Sequence, residues 1–319
     1  MKSVLSVVLT LLKEAAKVYW VLLKVMVPAL VIVKGLEMVG GVALLGDILS
    51  PMMQWVGLPN ELGLVWATLM LTNIYTGLIV YFNLELTQTL SVAQVTVLGV
   101  LALLSHSLPV EGAVAKNMGV SWRVTLALRF GGAVILGGAL HFLYSSMNWL
   151  QQPASSLWRP DAPVDDSLVS WALGQIETLA WIYVIIFALM VLLRVLRAIG
   201  IERMMHTLLY PVLRWLGIGK DAANVAVIGV VLGLTFGAGL LIKEAQSGRL
   251  SQRDIFLTIG FLGLFHSVIE DTMLILLMGA DLSGILWARL VFALVVIGAL
   301  ARWSYVTRKL NDRQETPLT

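Results

Sequence analysis

The stretch Gly260–Asp281, GFLGLFHSVIEDTMLILLMGAD, holds a short polar segment between two apolar runs. A charged side chain at the centre of a membrane helix costs about 2.5–3.5 kcal/mol on insertion scales, so such groups normally face a protein interior or a water-filled cavity. We therefore expect this segment to mark a functional site. Its polar members are His266, Ser267, Glu270, Asp271 and Thr272.

A matching polar segment lies 160 residues earlier in the chain. Residues 104–111 read LSHSLPVE and residues 264–271 read LFHSVIED. Rare residues that recur in one ungapped register are not explained by the general likeness of membrane helices, so we interpret the chain as two copies of one unit. The same offset aligns His106 with His266, Ser107 with Ser267, Glu111 with Asp271, Pro51 with Pro211, Trp55 with Trp215, Gly77 with Gly237 and Arg129 with Arg289.

The composition is that of a polytopic membrane protein. The 319 residues are 59% hydrophobic and 13% charged, with a mean hydropathy of +0.89. No cysteine is present, which excludes disulfides and thiolate chemistry. No glycine-rich nucleotide fingerprint or phosphate loop occurs, which argues against ATP-driven transport by this chain. The net charge of +3 suits membrane topology better than binding of a nucleic-acid polymer.

The apolar pattern predicts an all-α protein with two repeats. We expect each repeat to contain three spans, one interfacial helix (44–56 and 201–216) and one re-entrant helical hairpin at its polar segment, because Pro109 disfavours a straight helix there. In the first repeat the predicted spans are 18–39, 62–85 and 123–147. The predicted regions are an amphipathic lead-in at 1–17, repeats at 18–149 and 171–306, a polar external linker at 150–170 and a charged cytoplasmic tail at 307–319.

Charge predicts that the two repeats have inverted topology. Three spans are an odd number, so the second repeat enters the membrane from the opposite side. With a cytoplasmic N-terminus, fifteen Lys and Arg residues lie inside and five, including Arg253, lie outside, while Arg129 and Arg289 fall within spans. This asymmetry follows the positive-inside rule. Full spans at the polar segments would instead make the repeats parallel.

This arrangement resembles the Gate, or nucleoside-recognition, superfamily over about residues 18–306. The features that carry the resemblance are the paired segments HSLPVE and HSVIED and the paired glycines Gly77 and Gly237. That superfamily includes the core of concentrative nucleoside transporters, the Gate domains of the ferrous-iron transporter B family and the spore maturation A and B proteins. The chain lacks the iron transporters' GTPase domain and gate cysteines, and it is shorter than a full concentrative nucleoside transporter.

Each candidate site residue has a functional and a structural interpretation. Buried carboxylates need a cation, a proton or a hydrogen-bond donor, so they either bind solute or pair with Arg129 and Arg289. The histidines either bind solute, proton or metal, or brace their own hairpins. One histidine per repeat is a sparse ligand set, which leaves a metal site undecided. The candidate substrate-binding residues are His106, Ser107, Glu111, His266, Ser267, Glu270, Asp271, Thr272, Asn73, Thr76 and Thr235.

The resemblance implies a membrane transporter for a small polar solute, such as a nucleoside or nucleobase, in a bacterial inner membrane. Transport would use alternating access with H⁺ or Na⁺ coupling and no cofactor, and the chain would form a homo-oligomer in the bilayer. The alternatives are a non-transporting component that acts through a partner protein, and divalent metal permeation. An enzyme is not expected, because adjacent His and Ser residues on a helix point about 100° apart and form no triad.

The external linker gives a direct test of topology. A cysteine introduced at Ser155 into this cysteine-free chain should react with a membrane-impermeant maleimide in intact cells. A cysteine at Arg302, on the predicted inner side, is the matched control and should react only after the membrane is opened. Labelling of the Ser155 position only after opening would contradict the predicted orientation.

Overall fold

The computed structural model describes residues 4–39, 41–84, 90–156, 167–233 and 250–314. These residues are helical, joined by short turns. Two π-helical segments, Ala127–Gly131 and Ser283–Ala288, continue into α8 and α14. The α-helices are α1 (Val4–Met38), α2 (Gly41–Trp55), α3 (Leu62–Leu71), α4 (Ile74–Asn83), α5 (Val92–Ser105), α6 (Leu108–Asn117), α7 (Trp122–Leu126), α8 (Gly132–Ser146), α9 (Leu168–Ala198), α10 (Ile201–Trp215), α11 (Lys220–Leu232), α12 (Gln252–Leu264), α13 (Glu270–Leu277) and α14 (Arg289–Gln314).

Five helical stretches in the described part of the chain are long and apolar enough to cross a membrane. The stretch formed by α5 and α6 is mostly buried inside the protein, whereas those in α1 and α9 are largely exposed at its surface. Such exposure of apolar side chains suits contact with lipid. The five stretches are Leu9–Gly35, Val92–Asn117, Trp122–Ser146, Leu168–Leu196 and Ser283–Trp303.

The chain reverses direction between α3 and α4. Asn73 separates the two helices and caps α4, because its Oδ1 accepts a hydrogen bond from Thr76 N at 3.0 Å. A Cβ added to Gly77 would overlap the side chain of Leu69. Residues eight apart in one straight helix would be about 12 Å apart, so this contact requires a helical hairpin. Its tip is Thr72–Asn73.

The first polar segment interrupts a span and does not reverse it. Ala93 N, at the start of α5, donates to Leu150 O, beyond the end of α8. A Cβ on Gly112 in α6 would meet Trp122, at the start of α7. The pair α5–α6 therefore runs antiparallel to the whole length of the continuous helix 122–146. The predicted re-entrant hairpin is corrected accordingly: in the first repeat the fold-back lies within 62–85, which was predicted to be a full span.

Local chemistry explains where α5 and α6 end and begin. Ser91 caps α5 in a capping box with Gln94. Ser107 breaks the helix in the left-handed conformation, with φ at 51°, and Ser267 has the equivalent φ of 49°. Pro109 then lies in the first turn of α6, where its missing N–H leaves no intrahelical bond unmade. The break is thus encoded locally in both repeats.

Hydrogen bonds recur at the 160-residue offset. Arg129 and Arg289 make the same two bonds to carbonyls of their own repeats, as described below. Tyr19 OH donates to Leu179 O at 2.9 Å, and these two positions are themselves 160 residues apart. A contact between equivalent positions lies next to the axis that relates two repeats. Helices α1 and α9 therefore meet near that axis.

Both segments predicted to be interfacial are helical, as α2 and α10. Leu44 and Ile48 on α2 are exposed, as are Met204 and Leu208 on α10. The polar side chains Arg203 and His206 of α10 are also exposed. Each helix therefore presents both apolar and polar residues at the surface, as an amphipathic helix at a membrane boundary does.

The close approach at Gly77 yields a stability prediction. Gly77→Ala should lower the free energy of unfolding by about 1–3 kcal/mol, because Leu69 is buried and has no free space to move into. The matched control is Gly174→Ala in α9, where a Cβ would meet nothing within 4 Å. That control should be neutral or slightly stabilising.

Unfolding in SDS–detergent mixtures measures both variants. In the double variant Gly77→Ala with Leu69→Ala the two losses should be less than additive, because the second change makes room for the added methyl group. Equal stability of the two glycine variants would contradict the hairpin.

Candidate functional site

Two buried arginines tie each polar segment to its own repeat. Arg129 Nε donates to Leu104 O at 2.9 Å, and its Nη2 donates to His106 O at 2.9 Å. Arg289 makes the equivalent bonds to Leu264 O at 2.8 Å and to His266 O at 2.9 Å. These carbonyls belong to the broken helix ends, which have no intrahelical partners. The arginines therefore cap α5 and α12 from the neighbouring helix.

The two repeats differ in the carboxylate partner of the arginine. Arg129 Nη1 forms an ion pair with Glu111 Oε2 at 2.6 Å, with both side chains almost fully buried. Asp271 stands where Glu111 stands in the first repeat, but its side chain is one methylene shorter. Among the described residues, no ion pair joins Arg289 to Asp271, although Arg289 Nη1 and Asp271 Oδ2 are both buried. The pairing that was weighed as the structural interpretation is therefore found for Glu111 and not for Asp271.

The histidines meet each other between the repeats. His106 Nε2 lies 3.4 Å from His266 Nε2, and both rings are buried. Each ring also bonds its own helix through Nδ1: His106 to Ala102 O at 2.9 Å and His266 to Leu262 O at 2.5 Å. The structural interpretation, in which each histidine braces its own repeat, therefore applies to both rings. The hydrogen bond at Nδ1 holds each ring so that its Nε2 faces the opposite repeat.

Carboxylate oxygens complete the same cluster. Glu111 Oε1 lies 3.4 Å from His106 Nε2 and 3.3 Å from His266 Nε2. Asp271 Oδ2 lies 3.6 Å from His106 Nε2. One ligand atom each from His106, His266 and Asp271 falls within 4.8 Å of the others, which is close enough for a shared metal ion. We refer to these four side chains as the central cluster.

Tyr75 links the hairpin of the first repeat to the second polar segment. Its hydroxyl donates to Glu270 Oε1 at 2.8 Å, across a separation of 195 residues. Glu270 also lies in the first turn of α13, where a carboxylate is favoured by the positive end of the helix dipole. Glu111 occupies the corresponding turn of α6.

A cavity of about 340 Å³ adjoins the central cluster. The tip of the α3–α4 hairpin, both polar segments and one side of α1 contribute to its wall. It is therefore enclosed by parts of both repeats, as expected for a ligand site built at a repeat interface. The lining residues are Val18, Val21, Leu22, Asn73, Ile74, Tyr75, His106, Ser107, Glu111, Gly233, His266, Ser267, Glu270 and Asp271.

Most of the predicted site residues meet at this cavity, and two described ones do not. Thr76 is fully buried, and its hydroxyl bonds Asn73 Oδ1 at 3.2 Å, so it supports the hairpin tip. Thr272 is also buried and outside the lining. Thr235 lies outside the described residues. The eight that line the cavity are Asn73, His106, Ser107, Glu111, His266, Ser267, Glu270 and Asp271.

The set of candidate site residues omits three kinds of lining residue. Tyr75 lies two residues after Asn73 in a polar stretch that also holds Thr72 and Thr76, and this neighbourhood was the available signal. Gly233 approaches Ser267, since a Cβ there would lie 3.2 Å from the serine Oγ. Val18, Val21 and Leu22 come from α1, and apolar residues in an apolar span carry no signal of their own.

These features define a multi-pass helical membrane protein with a buried polar site. A curated relative, the uncharacterized membrane protein YvoD of Bacillus subtilis (strain 168), is 27% identical over 288 residues, which is 88% of this chain and 90% of the relative. No protein-family model matches the chain. No solved structure matches it significantly.

The difference between the two arginine–carboxylate positions can be measured. In a double-mutant cycle, Arg129→Gln and Glu111→Gln should show a coupling of about 2–3 kcal/mol, because each single change leaves a buried charge unpaired. The matched cycle of Arg289→Gln and Asp271→Asn should show a smaller coupling, because these two residues form no ion pair. Unfolding free energies in mixed micelles give both values. Equal coupling in the two repeats would contradict the observed asymmetry.

Proposed function

We propose that this protein is a transporter-like membrane protein of the Gate superfamily that binds a small polar solute in the cavity between its repeats. The single observation that carries the proposal is the cavity itself, because it is lined by equivalent residues of both polar segments. Its volume of about 340 Å³ lies at the lower end of the range of small-ligand pockets, about 300–1,000 Å³. A nucleoside or nucleobase is the solute class that the resemblance suggests.

The chemistry of the wall supports a polar ligand. Asn73, Ser107 and Ser267 offer hydrogen-bonding groups, while Tyr75 and Ile74 offer apolar area. Glu111, Glu270 and Asp271 are the groups that would couple solute movement to H⁺ or Na⁺, since a buried carboxylate changes its preferred partner when it gains a cation. Val18, Val21 and Leu22 close one side, so movement of α1 against the hairpin would open the cavity.

The proposed topology is inverted, with both termini in the cytoplasm of a bacterial cell. Each repeat would cross the membrane three times; in the first repeat these crossings are α1, the broken pair α5–α6 and the helix 122–146. Arg253 donates to Gly217 O at 2.7 Å and to Ala301 O at 3.4 Å, which lie at the ends of α10 and of the last span. These contacts favour an inner position for Arg253, which was first assigned outside, and they increase the positive-inside asymmetry.

Self-association remains part of the proposal. The exposed apolar residues of α2 and α10 suit either a neighbouring copy or the lipid headgroup region. A fixed support from a second copy would also help one repeat to move against the other.

The proposal is tested by binding and by uptake. Purified protein should gain thermal stability with at least one nucleoside or nucleobase, because a ligand that binds only the folded state raises its stability. In proteoliposomes, Glu270→Gln should lower solute uptake at least about tenfold, because it changes a cavity group bonded to Tyr75. The control Asp47→Asn, on the exposed surface of α2, should leave uptake unchanged.

The other candidate functions give different outcomes. A component that acts through a partner protein would show no stabilisation by these solutes and no uptake. Divalent metal permeation would show uptake of the ion but not of nucleosides. Either result would overturn the solute proposal.

A further inference from the structure

Ligand atoms of the central cluster lie close together around the two histidine Nε2 atoms. The measured separations are 3.4 Å between the two Nε2 atoms, 3.4 and 3.3 Å from Glu111 Oε1 to those atoms, and 3.6 Å from Asp271 Oδ2 to His106 Nε2. Ligands about 2.0–2.1 Å from a tetrahedral metal ion are about 3.3–3.4 Å from one another, so these separations suit neighbouring ligands of one ion. His106, His266 and Asp271 are the three groups whose ligand atoms all lie within 4.8 Å of one another.

The backbone fixes which histidine nitrogens are available. Ala102 O and Leu262 O can only accept a hydrogen bond, so each Nδ1 carries the proton. Each neutral ring then turns the lone pair of Nε2 towards the cluster. This is the arrangement in metal sites, where the outer nitrogen of a ligating histidine donates to a carbonyl or carboxylate.

Four acceptor atoms at this spacing repel one another unless a positive charge lies between them. Arg129 pairs with Oε2 of Glu111 and donates to the backbone carbonyl of His106, so its hydrogen bonds do not go to the imidazole nitrogens. Asp271 Oδ2 is buried, with a side chain about nine-tenths covered, and has no hydrogen-bond partner. An orphaned carboxylate oxygen beside two imidazole lone pairs needs a cation or a proton.

We propose that the central cluster binds a divalent transition-metal ion, with His106, His266 and Asp271 as its ligands and with Glu111, held by Arg129, beside them. Imidazole with carboxylate suits Zn²⁺ and its neighbours in the first transition row, whereas Mg²⁺ and Ca²⁺ prefer all-oxygen sites. The inference deepens the proposed function, since it names a ligand of the same cavity, but equilibrium binding of the ion does not require transport.

Such an ion would join the two repeats. His106 and Glu111 come from the first repeat, and His266 and Asp271 come from the second. The bound ion would hold the polar segments together near the axis between the repeats, and its loss would let them separate. Tyr75 and Glu270 would remain as the polar groups beside it.

The test uses the full chain in detergent after treatment with a chelator. Titration calorimetry should find about one Zn²⁺ per chain, and Co²⁺ should give the intense visible absorption of tetrahedral coordination. His266→Gln and Asp271→Asn should each weaken Zn²⁺ binding at least about 100-fold. The control is His206→Gln, which removes an exposed histidine far from the cluster in sequence and should keep wild-type affinity.

The outcomes separate this inference from the transport proposal. Absence of saturable Zn²⁺ binding by folded wild-type protein would overturn the metal site and leave a proton as the occupant of the cluster. Equal affinity in wild type and His266→Gln would also overturn it. Zinc binding without solute uptake would retain the metal site while the transport proposal fails, and uptake without zinc binding would do the reverse. The cobalt spectrum of wild type keeps the test decisive if a variant does not fold.

Discussion

The fold depends on buried polar groups that satisfy one another inside a largely apolar helical protein. Each break in a membrane helix exposes carbonyls with no intrahelical partner, and in a bilayer water cannot satisfy them. Arg129 and Arg289 meet this need by donating two hydrogen bonds each to the broken ends of α5 and α12. The buried arginine charges in turn require buried carboxylates nearby, so the helix breaks, the arginines and the acids form one interdependent set.

Duplication turns this local solution into a shared site. Because equivalent positions meet near the axis between the repeats, one histidine per repeat becomes a pair with nitrogens 3.4 Å apart. The repeats then diverge at one position. Glu111 reaches its arginine at 2.6 Å, whereas Asp271 leaves its Oδ2 without a hydrogen-bond partner. The carboxylate of Glu111 is thus used for structural pairing. The side chain of Asp271 is one methylene shorter, and its carboxylate is available to a ligand.

The surroundings of the cluster combine rigid and separable parts. Close glycine contacts, such as Gly112 with Trp122, hold α6 against α7 and fix the first polar segment. The hairpin α3–α4 reaches the second segment through the bond between Tyr75 and Glu270, and it reaches α9 through Asn83 and Gln175. Movement of the hairpin against the second repeat would have to break these bonds.

The sequence alone determined the helical membrane class, and its 160-residue pattern selected most of the residues that line the cavity. Hydropathy, residue spacing and register are properties of the linear chain, so no tertiary contact is needed to read them. Tertiary structure decided the direction of the chain at each break. A broken span and a hairpin have the same composition, and only packing, such as Gly77 against Leu69, distinguishes them. It also decided which partners meet, since Tyr75 and Glu270 are 195 residues apart in the chain. Whether Asp271 reaches Arg289 depends on the length of the aspartate side chain relative to the distance between the two backbones.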